Sequence, residues 1–190
     1  MKRELHLNLF IQSRGHHEAS WRHPDASELP LTDIRFYQEL ALRAEAGLFD
    51  SIFLADTLSA GESLGTAPYS LLEPITVLGA LAASTERVGL IATASTTYTE
   101  PYNLARQFAS LDHISRGRIG WNIVTSWSAP AAGNYGDATQ VSHADRYQRA
   151  DEFVKVATDL WDSWAGDAIV GDRAGGLFAK MDRVTAIDHV

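Results

Sequence analysis

Residues 87–126, RVGLIATASTTYTEPYNLARQFASLDHISRGRIGWNIVTS, carry the pattern that decides the fold. The apolar run at 87–94 predicts a strand, and hydroxyl-bearing residues follow it. Pro101 opens a helix whose apolar residues recur at spacings of three and four, and the helix stops near Gly117. A second apolar run at 118–125 predicts another strand. Strand, helix and strand in this order are typical of a parallel βαβ unit with a right-handed crossover.

Similar units lie on both sides of this stretch. Further strands are predicted at 5–11 and 49–55. We expect one helix to be N-capped by Thr32 and ended by Gly47 as its C′ residue. Pro74 opens another helix. The clearest helix covers 146–164, where an apolar stripe includes Trp161 and Trp164 and is expected to be packed. Beyond Gly166 only turn residues are recognisable.

Four βα units leave two fold solutions, a doubly wound sheet and a (β/α)8 barrel. Long loops at 14–30, 57–69 and 126–143 follow the strands, whereas the connections from helix to strand are short. Both folds place their chemistry on that long-loop side. A G-x-G-x-x-G motif is missing after the first strand, which removes the main support for dinucleotide binding.

The amino-acid composition excludes several classes of function. The 190 residues include 24 acidic and 16 basic ones, giving a net charge of −8, and no cysteine. These numbers exclude a disulfide scaffold, a zinc ribbon and a thiol nucleophile, and they disfavour nucleic-acid binding. With no signal-peptide pattern or membrane-length apolar run, we expect a cytoplasmic protein without membrane contact. Residues 1–190 are expected to form a single domain, although this length is short for a whole barrel of about 250 residues.

Polar side chains at the predicted strand ends are candidates for a binding site. Asp56 follows a buried strand, so its carboxylate either orients a ligand or caps the next loop. Thr93 and Ser95 share one side of their strand and could bind a ligand or neighbouring backbone. The amide of Asn122 lies within an apolar strand and needs partners, either a ligand or a structural network.

Other polar and aromatic residues lie in the long loops. His16, His17 and His23 are close in sequence, but their spacing does not fit a metal site, and none is predicted. His143 and Tyr147 could form an anion site at a helix N-terminus, and simple capping by Ser142 or Asp145 is the alternative. Several aromatic residues could wall a planar ligand or belong to the core; they are Trp121, Trp127 and Tyr135.

Taken together, these motifs resemble those of the bacterial-luciferase-like flavin monooxygenases. The similar branch holds nitrilotriacetate, dibenzothiophene-sulfone and long-chain alkane monooxygenases. The resemblance runs from residue 5 to residue 189. Its motifs are GHHEASWRHP, FDSIFLAD, the long run from STTYTEPYN to GWNIVTS, and HADRYQRADEF.

The resemblance implies a (β/α)8 barrel, of which this chain covers about the first four βα units. It implies an FMN-dependent monooxygenase in which reduced FMN, supplied by a separate reductase, reacts with O2 to oxygenate a small organic substrate. Five matching positions would contact the flavin: Asp56, Thr93, Asn122, His143 and Tyr147. His16 matches a histidine that faces the reaction cavity and is the candidate catalytic residue.

The resemblance also implies that the family's chain continues beyond the part matched here. An open half-barrel would expose the edges of its sheet. The alternative function is therefore a truncated, non-catalytic half-barrel that assembles with itself or with a partner chain, and a homo-oligomer is expected.

Overall fold

The computed structural model describes residues 5–136 and 139–189, so Met1 and Val190, the limits of the expected domain, lie outside the described residues. Four parallel strands form one sheet in the order β1-β2-β3-β4. The strands are β1 Asn8–Ile11, β2 Ser51–Leu54, β3 Gly89–Ser95 and β4 Ile119–Val124. The strand order follows the chain order without reversal, which rules out the doubly wound alternative and confirms the barrel prediction.

The helices cover one face of this sheet. They are α1 Ile34–Ala46, α2 Pro74–Ser84, α3 Pro101–Ser115, α4 Ala129–Asn134 and α5 His143–Asp162. Neighbouring helices pack in the order α1, α2, α3 and α5. None of the helices in the described part of the chain combines the length and apolarity needed to cross a bilayer.

The core lies between the sheet and the helices. Ile52 and Leu90 from the strands are fully buried against Leu78 and Leu81 of α2. Alternate strand residues point to the opposite face, as the period of a strand requires. On that inner face the rings of Phe10 and Phe53 are in contact at 4.8 Å, and Phe10 remains 38% exposed. The inner face is therefore open, as expected of half a barrel.

Two side chains tie the amino ends of the strands. One carboxylate oxygen of Glu45 accepts hydrogen bonds from three successive backbone N–H groups of residues 86–88, at 2.6–3.0 Å. The guanidinium of Arg118 donates to the carbonyls of Ala82, Thr85, Val88 and Ser115 and to the Thr85 hydroxyl. These bonds fix the starts of β3 and β4, far from the long loops.

Both predicted ends of α1 shift by one residue. The N-cap is Asp33, whose carboxylate accepts the Arg35 N–H at 3.0 Å, and not Thr32. At the other end Gly47 is the C-cap with φ −80°, and Leu48 occupies the left-handed C′ position with φ +60°. Phe49 N–H bonds to the Ala44 carbonyl and Leu48 N–H to the Glu45 carbonyl, which together make a Schellman motif without glycine at its usual position.

One helix and two strands were not predicted. Helix α4 lies inside the loop predicted at 126–143, and its small, apolar sequence APAAGN has no amphipathic stripe. Strands β5 Ile169–Asp172 and β6 Leu177–Ala179 form an antiparallel hairpin where only turn residues were recognised. In addition, α5 begins at His143, three residues before the predicted start at Arg146.

One expected core region is an open groove instead. Trp161 and Trp164 are 38% and 49% exposed, and Ile123 on the edge strand β4 is 47% exposed. Together with Trp121 and Phe108 they line a groove of about 690 Å³ beside β4. In the described residues no strand pairs with the outer side of β4, so the apolar stripe of α5 is only partly covered.

Candidate active site

A cavity of about 410 Å³ lies at the carboxyl ends of β2, β3 and β4. This is the size range in which proteins bind small molecules and cofactors. The polar groups at its wall are at the ends of neighbouring strands, because parallel strands bring their carboxyl ends to one edge of a sheet. Its lining residues are Ala55, Asp56, Thr57, Leu58, Ser59, Gly61, Tyr69, Thr93, Asn122, Val124, Ser126, Trp127, Ser128 and Ala131.

Asp56 is the acidic group of the cavity. Burial raises the pKa of its carboxyl, the nearby negative charge of Glu73 adds to the rise, and a hydrogen bond from the backbone of Thr57 opposes it. A carboxyl whose charged form is disfavoured gains from any ligand that donates a hydrogen bond to it. Asp56 is thus suited to bind an N–H or O–H group.

Thr93 and Asn122 meet on the inner face of the sheet. They are register partners on β3 and β4, and the Asn122 amide donates to the Thr93 hydroxyl at 3.0 Å. Thr93 is 4% exposed, so this bond satisfies a buried hydroxyl. The bond supports the structural reading of both residues, yet it leaves the carbonyl oxygen of Asn122 able to accept from a ligand in the cavity.

Ser95, the second hydroxyl of this strand, has a structural role. Its Oγ accepts from the backbone N–H groups of Thr97 and Tyr98 and bonds to the hydroxyl of Ser126 at 2.8 Å. These contacts hold the turn after β3 and the end of β4 together. Ser95 is not among the residues that line the cavity.

The structure does not bring His143 and Tyr147 into the described cavity. Their rings stack on each other at 4.6 Å on the first turns of α5. Ser142 caps this helix by accepting the Asp145 N–H at 3.2 Å, as the capping alternative expects. The two rings remain accessible beside a helix N-terminus, and Tyr147 is 53% exposed.

His16 also lies outside the cavity wall. Its ring packs edge-on against Phe10 at 5.2 Å, on the inner face of β1. The neighbouring histidines serve local turns, because His17 Nδ1 accepts the Ala19 N–H and His23 Nδ1 accepts the Asp25 N–H. Within the described ranges no group of three metal-binding side chains is close enough to hold an ion.

Sequence reasoning missed several cavity residues. The Tyr69 hydroxyl donates to the carbonyl of Thr57 at 2.9 Å, which fixes the loop after β2. Ser59 and Ser128 are joined by their hydroxyls at 3.1 Å, and Asn134 donates to the Leu58 carbonyl at 2.8 Å. These bonds attach α4 to the loop after β2. Serines occur in both loops, but no local sequence pattern pairs them.

The candidate aromatic residues have different roles. Trp121 is partly buried between the core and the groove beside β4, where its Nε1 donates to the Ala94 carbonyl and its ring contacts Phe108 and Phe153. Tyr135 stacks on Tyr98 at 4.6 Å, and neither residue is among those that line the cavity. Trp127 alone of the three lines the cavity, as a ligand wall would.

The described residues form an incomplete (β/α)8 barrel with a largely apolar cavity that holds a few polar groups at the carboxyl ends of the strands, which is the arrangement of barrel enzymes. Within that class the chain belongs to the luciferase-like monooxygenase family, which it matches over residues 8–185. This finding confirms the resemblance inferred from the motifs.

Individual proteins that the chain resembles agree with this family assignment. The chain is 45% identical over 99% of its length to N-acetyl-S-(2-succino)cysteine monooxygenase of Bacillus subtilis, covering 43% of that protein. It is 42% identical over 99% of its length to nitrilotriacetate monooxygenase component A of Aminobacter aminovorans, covering 44% of it. A solved structure of riboflavin lyase with modified FMN and riboflavin has a TM-score of 0.89 at 36% identity, covering 99% of this chain and 44% of that one. The chain therefore spans less than half the length of these relatives.

Proposed function

We propose that this chain forms the flavin-binding half of an FMN-dependent monooxygenase. The observation that carries the proposal is the cavity at the strand ends, where Asp56, Thr93 and Asn122 converge in a chain of the luciferase-like family. A related structure that contains modified FMN supports the choice of cofactor. Reduced FMN, when bound, supplies the two electrons with which O2 yields one oxygen atom for the substrate and one molecule of water.

The donor set fits a flavin. The polar edge of an isoalloxazine ring alternates N–H and C=O groups, which match the carboxylate of Asp56 and the amide of Asn122. The ring faces need apolar contacts, and Leu58, Val124 and Ala131 provide them in the same cavity. This mixture of apolar walls and a few convergent polar groups is typical of cofactor sites.

In this proposal the residues of the chain position the flavin ring. The Asn122 side chain is held by Thr93, so its amide is oriented before a ligand arrives. Asp56 accepts a hydrogen bond from the flavin and can hold a proton at its carboxyl, because its pKa is raised. Water exclusion requires that the open inner face be covered by the remainder of a barrel.

His143, Tyr147 and His16 have more distant roles in the proposal. His143 and Tyr147 lie beside the N-terminus of α5, where helix dipoles favour anions, so they would bind the phosphate end of FMN. His16 would face the substrate from the loop after β1. The remaining partners are O2, a small organic substrate, a separate flavin reductase and further copies of the chain, and the protein would act in the cytoplasm.

FMN titration of the chain tests the site. We expect Asp56→Ala and Asn122→Ala each to weaken binding of FMN and riboflavin by about tenfold, the equivalent of about 1.4 kcal/mol. Replacing His143 by Ala or Tyr147 by Phe should weaken FMN binding but leave riboflavin binding unchanged, since only FMN carries the phosphate. Thr158→Ala, on the exposed side of α5, is the matched control.

A chimera tests the activity. Residues 1–190 are joined to the remaining part of nitrilotriacetate monooxygenase component A, and reduced FMN is supplied by a flavin reductase. Oxygenation of nitrilotriacetate that is lost with Asp56→Ala supports the proposal. The proposal is wrong if the chain does not bind FMN and a folded chimera neither binds FMN nor oxygenates nitrilotriacetate.

A further inference from the structure

Trp127 is an exposed tryptophan at the rim of the cavity. Its side chain lines the cavity although 87% of the residue is accessible to solvent. A covered tryptophan side chain buries about 150–250 Å², so an exposed one lacks a large apolar contact. Isolated exposed apolar residues are common on proteins, so exposure alone assigns no role to Trp127, whereas the way its backbone is held does.

The backbone around Trp127 is fixed. Ser126 has a left-handed backbone with φ +52°, a conformation that costs a non-glycine residue free energy. Two contacts hold it there, the bond between its hydroxyl and Ser95 and a bond from Gln140 Nε2 to its carbonyl at 3.2 Å. On the other side, Ser128 is bonded to Ser59 at 3.1 Å. Both neighbours of Trp127 are thus anchored to other loops.

Three of the other four indoles of the chain are satisfied internally. The Nε1 groups of Trp21, Trp121 and Trp161 donate to the carbonyls of Thr66, Ala94 and Ala105. The Trp127 indole, like that of Trp164 in the groove beside β4, has no hydrogen-bond partner and no ring contact among the residues that the structure describes. An anchored backbone therefore presents a free indole to the cavity.

We propose that the indole of Trp127 packs against the face of a planar conjugated ring bound in this cavity. The inference rests on the proposed function, and it adds a ligand-binding residue that acts by stacking instead of hydrogen bonding. The ring belongs either to the flavin or to an aromatic substrate, since both offer the same flat apolar face. Offset stacking of aromatic rings gives binding energy beyond that of the buried area.

Flavin fluorescence tests the proposal, because an indole in contact with an isoalloxazine ring quenches its emission. The chain and its Trp127→Ala and Trp127→Phe variants are titrated with FMN, and separately with dibenzothiophene sulfone, a planar ring without ribityl phosphate. Trp164→Ala is the matched control, since Trp164 is exposed in the groove beside β4 and not in the cavity. Far-UV circular dichroism verifies that each variant is folded.

We expect Trp127→Ala to weaken FMN binding about tenfold and to remove the quenching of bound flavin, while Trp127→Phe keeps most of the affinity and loses part of the quenching. Unchanged FMN binding with weakened sulfone binding would also support the proposal and assign the ring to the substrate. If neither ligand responds to Trp127→Ala while FMN still responds to Asp56→Ala, the inference is wrong and the proposed function stands. A chain that binds neither ligand overturns both.

Discussion

The amide of Asn122 donates a 3.0 Å hydrogen bond to the hydroxyl of Thr93 on the neighbouring strand. The two residues are direct register partners, so the bond crosses the sheet perpendicular to the strands. It satisfies a buried hydroxyl and, at the same time, orients an amide towards the candidate cavity. This one hydrogen bond thus stabilises the sheet and also orients a polar group of the candidate site.

A double-mutant cycle measures this contact. Thr93→Val and Asn122→Ala should each destabilise the chain, and the double variant should recover about 1 kcal/mol of the summed loss, because one net hydrogen bond is removed only once. Urea unfolding of the four proteins gives the free energies. Strictly additive losses would show that the two side chains are not coupled.

Glu45→Gln should destabilise the chain by about 2 kcal/mol at pH 7, because hydrogen bonds to a charged acceptor are the stronger ones. Burial alone would raise the pKa of Glu45, but the N–H groups of residues 86–88 and the charge of Arg87 outweigh burial and lower it. A lowered pKa gives stability that is present above the ordinary value and is lost as the pH falls through the folded-state value.

Urea unfolding of the wild type and Glu45→Gln from pH 7 to pH 3 checks this sign. The difference in unfolding free energy should shrink as the pH falls. Glu28→Gln, in the exposed loop after β1, is the control that should show little difference. A difference in unfolding free energy that stays constant with pH would contradict the charged state assigned to Glu45.

Arg118→Lys should cost about 2 kcal/mol of stability even though the charge is kept. The guanidinium reaches four carbonyls and one hydroxyl, and a single ammonium cannot reproduce that fork. Thermal unfolding followed by circular dichroism measures the effect. Arg106→Lys on α3, where the residue is exposed, should be nearly neutral, and equal losses at both positions would contradict the assignment.

Leu48→Gly should stabilise the chain by about 0.5–1 kcal/mol. The left-handed conformation costs leucine about 1–2 kcal/mol, and the greater freedom of glycine in the unfolded chain offsets part of that gain. Leu48 is 82% exposed, so little packing is lost. The matched control is Leu42→Gly inside α1, which should destabilise by about 1 kcal/mol. Destabilisation by both variants in urea would contradict the prediction.

Ile123→Lys should reduce self-association of the chain. Ile123 is exposed on the edge strand β4 beside Trp161 and Trp164, and lysine on an edge strand opposes pairing with another chain. Sedimentation velocity over a range of concentrations should show association of the wild type and less of it for the variant. Tyr102→Lys is the control, since Tyr102 is 64% exposed outside the groove. A wild type that stays monomeric at all concentrations would contradict the prediction.

The sequence predicted the four strands, the main helices and the end of the sheet where the cavity lies. These features depend on hydrophobic periodicity and chain direction, which are local properties. Asp56, Thr93 and Asn122 line the cavity for the same reason, since each follows or belongs to a strand. The roles of all six predicted site residues stay predictions.

Other features depend on contacts that no local pattern reveals. Helix α4 consists of small residues without a stripe, and the two serine bridges that anchor its region join positions far apart in sequence. The apolar stripe of α5 predicted burial, but apolarity alone does not tell whether a neighbouring element covers Trp161 and Trp164. The position of Leu48 in a Schellman motif was obscured by the adjacent Gly47, the usual residue for that position.

The hydrogen bonds made by the side chains of Glu45 and Arg118 lie at the amino ends of β3 and β4, and the carboxyl ends of the same strands form the cavity. None of these hydrogen bonds involves a residue that lines the cavity. Mutations that alter what the cavity binds can therefore accumulate while the strand starts stay fixed. A gene duplicate with this arrangement could acquire a new substrate by exchanging loops, and the same separation makes the loops after β2 and β4 suitable positions for randomised libraries.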